Sequence, residues 1–359
     1  MVMERPDRDA ASPAPATARA RRPGRRLVLR IALALALVIL LPTVAAGSAL
    51  RAAYAGSPAK DALTRGRDAV WLGHAWVDGR KGERDLAELK RRIAGTGLRD
   101  LYVHTGPLEH DGTLPASVYP RATWLIEAVR RELPGVRVQA WLGDKVVRRG
   151  EGGGGLRLDS APARAAVVDS ARQVMRAGFA GVHLDVEPVR TGDRHFLTLI
   201  DALRTAVHTG GGVFSVAAQQ IDPVPSLHSA ARLMGSPKWW TQAYFGQVAR
   251  RVDQIAVMSY DTALPVESLY GGYVARQTAL ALQATPAGTD LLMGLPFYHT
   301  DDLGHHGHAE TAAAAIRGAR LGLTREDRRR EHFGVALYVD FAATDDDWRA
   351  YRRGWGTRG

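Results

Sequence analysis

The sequence predicts an α/β protein built as a (β/α)8 TIM barrel without a large insertion domain, preceded by an N-terminal signal or transmembrane segment. Three observations carry that prediction. Short apolar, β-rich runs recur eight times from residue 68 onward, stretches with a helical apolar face fill the intervals, and no Gly-x-Gly-x-x-Gly turn follows the first run. Strands alternating with helices imply a parallel sheet, because each helix carries the chain back across it. The missing glycine turn argues against an open, doubly wound dinucleotide-binding sheet.

The N-terminal region divides into three parts. Residues 1–30 form a basic leader, expected to be disordered and cytoplasmic, in which eight Arg face Glu4, Asp7 and Asp9 and hold +5 of the net charge of +11. Residues 31–50 carry no charge. As a helix they would span about 30 Å, the hydrocarbon thickness of a bilayer. The basic flank predicts that the leader stays inside and the rest of the chain goes out. Arg25-Arg26-Leu27-Val28-Leu29-Arg30 is similar to a twin-arginine export signal, with Gly24 and Val28 departing from it, and Ala45, Ala46, Gly47, Ser48 and Ala49 offer a cleavage site. The expected location is extracytoplasmic, membrane-anchored or secreted. Residues 51–67 read as a polar linker and 68–359 as the barrel.

Within the barrel the predicted strands are 70–76, 101–104, 136–142, 181–187, 213–218, 255–260, 291–296 and 335–341. The first intervening helix, 85–93, aligns Leu86, Leu89 and Ile93; 122–133 stops at Pro134-Gly135; 162–177 ends before Gly178; 193–207 aligns Phe196, Leu199, Ile200 and Leu203. Stretches 240–252, 274–282, 309–321 and 345–351 complete the set. Gly152, Gly153, Gly154 and Gly155 fall in the loop after the third strand and read as a loop tip. The chain has no cysteine, so it forms no disulfide and no thiolate metal site. No lysine-rich run or basic–aromatic interleaving occurs in the barrel, so no nucleic-acid partner is expected; a monomer is.

Function in such a barrel sits where the strands end at their carboxyl face. The fourth strand is the most informative. His183, Asp185 and Glu187 alternate along one face, and Pro188, which lacks an N–H, ends the strand with Glu187 at its tip. The other strand ends supply Trp76, His104, Trp141 with Asp144, Gln219, Tyr260 with Asp261, Tyr298, and Tyr338 with Asp340. Acids among aromatic rings suit a sugar polymer: rings stack on pyranose faces and a carboxylic acid protonates the glycosidic oxygen.

These residues resemble glycoside hydrolase family 18, the chitinase-like barrels. That family's Asp-x-x-Asp-x-Asp-x-Glu motif reads here Ala180-Gly181-Val182-His183-Leu184-Asp185-Val186-Glu187, with its last two acids kept and its first two replaced. Met258-Ser259-Tyr260-Asp261 and Gly294-Leu295-Pro296-Phe297-Tyr298 match further motifs, and Tyr338 stands where the family has a tryptophan under the sugar. The interval between the last two strands is too short for the insertion that deepens the cleft in many members. The resemblance implies a hydrolase for β-linked N-acetylhexosamine polymers that needs no cofactor and no metal. Glu187 would be the general acid. The substrate's 2-acetamido oxygen would be the nucleophile, oriented by Asp185 and Tyr260, with retained configuration. Asp261 would contact the sugar and Tyr338 would floor the site.

Alternatives remain beside this reading. His183 could pair with Asp185 and hold it ionised, or simply pack in the barrel core. Some barrels of this kind bind sugar without cleaving it. A metal-dependent hydrolase could use His183, Asp185 and Glu187 as ligands, with the Asp301-to-His308 loop nearby. Trp239-Trp240 could stack on sugar or pack beneath a loop.

Overall fold

The computed structural model describes residues 25–224, 229 and 238–356. The chain divides into two units, Met1–Gly47 and Ser48–Gly359. In the first, the leader up to residue 24 lies outside the described residues, and the backbone from residue 25 onward is helical, the start of α1 (Arg25–Tyr54). Most side chains of 25–39 are likewise outside the description, and with them much of the proposed signal segment. Among the described residues no helix is long and apolar enough to cross a membrane.

The second unit contains a closed barrel of eight parallel strands, as the alternating pattern requires. Its strands are β1 (Asp68–Leu72), β2 (Leu98–Pro107), β3 (Arg137–Lys145), β4 (Gly181–Glu187) and β5 (Val213–Ala218), then, after two short strands β6 (Gln220–Ile221) and β7 (Trp239–Trp240), β8 (Gln254–Val257), β9 (Asp290–Pro296) and β10 (Phe333–Tyr338). Neighbours pair in chain order and β10 closes on β1 through Ala69–Ala336 and Val70–Leu337. Around the barrel lie α2 (Ala75–Asp78), α3 (Glu83–Ile93), α4 (Ala122–Glu132), α5 (Ala161–Arg176), α6 (Arg194–Thr209), α7 (Gln242–Ala249), α8 (Glu267–Ala284), α9 (Ala312–Glu326) and α10 (Asp345–Trp355). Their starts follow capping chemistry: Ser160, Asp193, Thr241, Thr311 and Thr344 each accept a first-turn amide hydrogen bond.

The apolar core has two parts. The larger lies between strands and helices; the smaller, with Ala69, Trp71, Tyr102, Ala256, Leu292 and Ala336, fills the barrel. Below it the interior is polar. Asp100, fully buried, accepts Arg137 Nε and Nη2 at 2.6 Å each, Gln139 Nε2 at 2.9 Å and Gln254 Nε2 at 3.1 Å.

Several expected boundaries need correction. The first strand ends at Leu72, and Ala75–Asp78 is a helical turn, so Trp76 does not end a strand. Trp239-Trp240 does not open a helix but forms β7, paired to β6; Trp240 is buried with its Nε1 donating to the Val189 carbonyl at 2.8 Å. The helix expected at 274–282 begins at Glu267, because Gly271 and Gly272 serve packing rather than breaking. A Cβ on Gly271 would sit 2.1 Å from the Tyr54 ring, and one on Gly272 1.9 Å from the Leu50 carbonyl oxygen. For the same reason 51–67 is not a free linker. Residues 51–54 are helical, Tyr54 donates to Glu267 at 2.9 Å, and Arg317 and Arg325 donate to carbonyls of residues 53–56.

Candidate active site

Strand register brings the acids to the mouth of the barrel. On β4, Glu187 pairs with Lys145, Asp185 with Gly143 and His183 with Trp141, so all three point inward at successive levels. Gly143 is needed beside Asp185, since a Cβ there would lie 2.8 Å from the Asp185 carbonyl oxygen. The Glu187–Pro188 and Tyr338–Val339 peptide bonds are cis. Opposite β4, the segment after β8 is fixed from three sides. Met258 N bonds Ala218 O at 2.9 Å, Ser259 Oγ bonds Gly294 O at 2.7 Å, and Gln220 Nε2 bonds Tyr260 O at 2.6 Å. Asp261 follows with a left-handed φ of 56°. Gly294 has no side chain to collide with the Tyr260 ring, which a Cβ would approach to 3.0 Å.

A cavity of about 220 Å3 forms between these elements, lined by Asp185, Glu187, Gln219, Tyr260, Asp261 and Tyr338 together with Trp71, Gln220, Lys238 and Met258. Tyr260 and Tyr338 stack at 5.2 Å and 18°. Trp71 meets Tyr338 edge-on at 5.5 Å. Trp141 Nε1 donates to Asp185 Oδ2 at 2.9 Å, whereas the buried Asp185 Oδ1 and Gln219 Oε1 have no partner.

The electrostatics separate the acids. Burial, reinforced by the charges of Asp185 and Asp261, pushes Glu187 up to about 8; burial, opposed by the Trp141 hydrogen bond, raises Asp185 to about 6. Glu187 is thus the carboxyl that keeps its proton at neutral pH. Asp261 is instead lowered: its burial is outweighed by hydrogen bonds from His305 and Tyr298. His305 Nδ1 lies 3.1 Å from Asp261 Oδ1 and 3.5 Å from Glu310 Oε2. Burial opposes its charge, but these two acids push it up to about 9.

No protein-family model matches the chain, and no curated protein matches it in sequence. Solved structures match in fold. The spore cortex-lytic enzyme SleL of Bacillus megaterium QM B1551 superposes with a TM-score of 0.58 at 13% identity, over 82% of this chain and 75% of that one. A chitinase from Chromobacterium violaceum ATCC 12472 gives 0.55 at 17% identity, over 82% and 100%. The Group IV chitinase of Ostrinia furnacalis gives 0.53 at 15%, over 80% and 98%. The fold is the barrel these proteins share.

Against that frame, the expected site residues fall into two groups. Asp185, Glu187, Gln219, Tyr260, Asp261 and Tyr338 converge on the cavity. Tyr298 stands just behind it, bonded to Asp261 and edge-on to Tyr260 at 6.0 Å. Trp141 acts on Asp185, and His104 packs edge-on against Trp141 at 4.8 Å.

Tyr298, Trp141 and His104 are thus not in the cavity lining, and two other residues depart further from expectation. Trp76 does not line the cavity: it is buried in α2, where its Nε1 donates to Asp340 Oδ2 at 2.8 Å, and Asp340 Oδ1 accepts Gly73 N at 2.9 Å. His183 is fully buried one level below the acids and pairs with neither. Its Nε2 accepts Trp71 Nε1–H at 3.1 Å, so Nδ1 carries the proton and donates to Ser215 Oγ at 2.8 Å, while the ring stacks on Tyr102 at 3.8 Å. Burial lowers it to about 3, a neutral ring. With both nitrogens engaged it cannot ligate a metal, so the set His183, Asp185 and Glu187 does not form. Among the described residues no other such cluster forms either.

Sequence reasoning missed Trp71, Gln220 and Lys238. Trp71 sits inside an apolar run with nothing to set it apart, Gln220 lies one residue past Gln219, the predicted strand end, and Lys238 reaches the site only because it donates to the Asp261 carbonyl. His305 had a signal, its place in the histidine-rich Asp301-to-His308 loop, but that loop pointed to metal ligation and not to Asp261.

Proposed function

We propose that this barrel is a glycoside hydrolase of the family 18 type, cleaving β-linked N-acetylhexosamine polymers by substrate-assisted retaining hydrolysis. The observation that carries the reading is Glu187 and Asp185 opening together into a cavity walled by the stacked rings of Tyr260 and Tyr338. Glu187, protonated at neutral pH, gives its proton to the glycosidic oxygen as the bond to the anomeric carbon breaks. The acetamido oxygen attacks that carbon from the opposite side. Asp185 Oδ1, buried without a partner, accepts the acetamido N–H and stabilises the charge that develops there. Tyr260 donates to the same group, Asp261 binds a sugar hydroxyl, and Tyr338 and Trp71 form the apolar floor. Glu187, now ionised, then takes a proton from the water that opens the intermediate. The uncharged run 31–50 behind basic residues supports an extracytoplasmic, anchored or secreted location. The test is a panel of labelled oligosaccharides assayed with wild type and Glu187→Gln. Binding without cleavage by either protein would favour a sugar-binding barrel instead.

Two further results are expected. Trp141→Phe keeps the ring but removes the hydrogen bond to Asp185, which raises the Asp185 pKa further. A fall in kcat of about tenfold should follow. The acid limb of the pH–rate profile should move to higher pH; an unmoved limb would mean the contact does not tune Asp185. Glu187 also links stability to pH. Its folded pKa is raised above the unfolded value, so its contribution is fully present below the unfolded pKa and is lost as pH rises through the folded one. Between about pH 4.5 and 8 the wild-type melting temperature should fall relative to that of Glu187→Gln. Parallel curves would contradict the shift.

A further inference from the structure

A second cavity, of about 500 Å3, lies along the loop that leaves β3 and is lined in part by Lys145, Arg148, Arg149, Glu151, Asp159 and Arg190. It begins where the strand bearing the acid ends. Lys145 pairs with Glu187 across β3 and β4, Val146 N bonds Glu187 O at 2.6 Å, and Pro188 is part of the lining. Pro188, next in the chain to Glu187, and Lys145, the strand partner of Glu187, both line the groove, so a sugar neighbouring the one over Glu187 lies within its reach.

The charges in the groove do not balance. Glu151 is held by Arg190 at 3.1 Å and by the Arg148 amide at 3.0 Å, and Asp159 by Arg157 at 2.8 Å. Asp193 is spent capping α6, accepting His195 N and Phe196 N. The side chains of Lys145, Arg148 and Arg149 are exposed and face no acid within ion-pair distance among the described residues. Three cations on a concave wall, two of them guanidinium forks, match a carboxylate in charge and in shape.

We propose that this groove is a subsite for an acidic substituent, a carboxylate carried by the sugar next to the one whose bond is cut. The substrate class is then an N-acetylhexosamine polymer bearing carboxylates rather than a neutral one. The inference rests on the proposed hydrolase reading for the position of the cleaved sugar, but its test reads binding and does not need turnover.

The probes are a neutral oligomer of N-acetylglucosamine and the same oligomer with a carboxyethyl ether on alternate 3-hydroxyls. Affinity is measured by calorimetry on Glu187→Gln, and cleavage of both probes is measured on the wild type. The carboxylated probe should bind about tenfold tighter at low salt, and high salt should erase the difference. Adding Arg148→Gln and Arg149→Gln should bring the affinity ratio close to one, with an unchanged melting temperature showing an intact fold. Equal affinity for the two probes, with the neutral one cleaved, overturns the subsite and leaves the hydrolase. A preference that the double substitution abolishes, without cleavage of either probe by the wild type, supports the subsite and overturns the hydrolase. If neither probe binds, both readings fall.

Discussion

Glu187→Gln is expected to lower kcat on N-acetylglucosamine oligomers by about a thousandfold while their dissociation constants change little. A positioned general acid contributes about 10²–10⁴-fold, and the amide keeps the shape of the carboxyl while losing its transferable proton. Binding survives because the rings of Tyr260 and Tyr338 and the Asp185 acceptor stay in place. Leaving-group chemistry sharpens the test. 4-Nitrophenolate departs without protonation, so in kcat/KM, which reads the bond-breaking step and not the later attack of water, the variant should lose far less on that glycoside than on an oligosaccharide. An equal loss on both would show that the carboxyl acts by some means other than donating a proton to the leaving oxygen.

The largest stability effect is expected far from the cavity, at Asp100. Asp100→Ala should cost about 3–5 kcal/mol, read as a lower denaturant midpoint at unchanged slope. The carboxylate is fully buried and accepts four hydrogen bonds, two from one guanidinium. Removing it leaves the Arg137 charge and Gln254 Nε2 without their acceptor and Gln139 Nε2 with only its bond to Gln254 Oε1 at 3.2 Å, which is the expensive way to break a buried pair. Asp100→Asn should be milder, since the amide oxygen still accepts. A loss below about 1 kcal/mol for the alanine variant would mean that water or Arg137 rearranges to fill the gap.

The alternation of apolar runs and helical faces was enough to read the barrel, because a parallel sheet buried on both sides leaves that pattern in the chain. The acids on β4 and the Tyr260-Asp261 corner were legible for a related reason: a side chain at the end of a strand has an address that periodicity supplies. Legibility failed where a residue's role depends on what crosses the barrel. His183 shares a face with Asp185, yet Trp71 and Ser215, each distant in sequence, take both of its nitrogens. Trp76 is expected on the strand because Ala75-Trp76 resumes the apolar character of residues 70–72, whereas the chain leaves the sheet at Gly73-His74 and turns into a helix. The helix expected at 274–282 begins too late because the chain that packs on Gly271 and Gly272, Leu50 and Tyr54, lies more than 200 positions away.

The neutral, doubly bonded His183 has a consequence for traffic through the site. Its ring plugs the barrel directly under the acids, and neither nitrogen is left to relay a proton downward. On the proposed mechanism, the hydrogen ions that Glu187 gives up or recovers therefore do not pass through His183 and are exchanged from the cavity side, where the sugar also binds. The departing half of the polymer then leaves on the same side from which the acid recovers its proton.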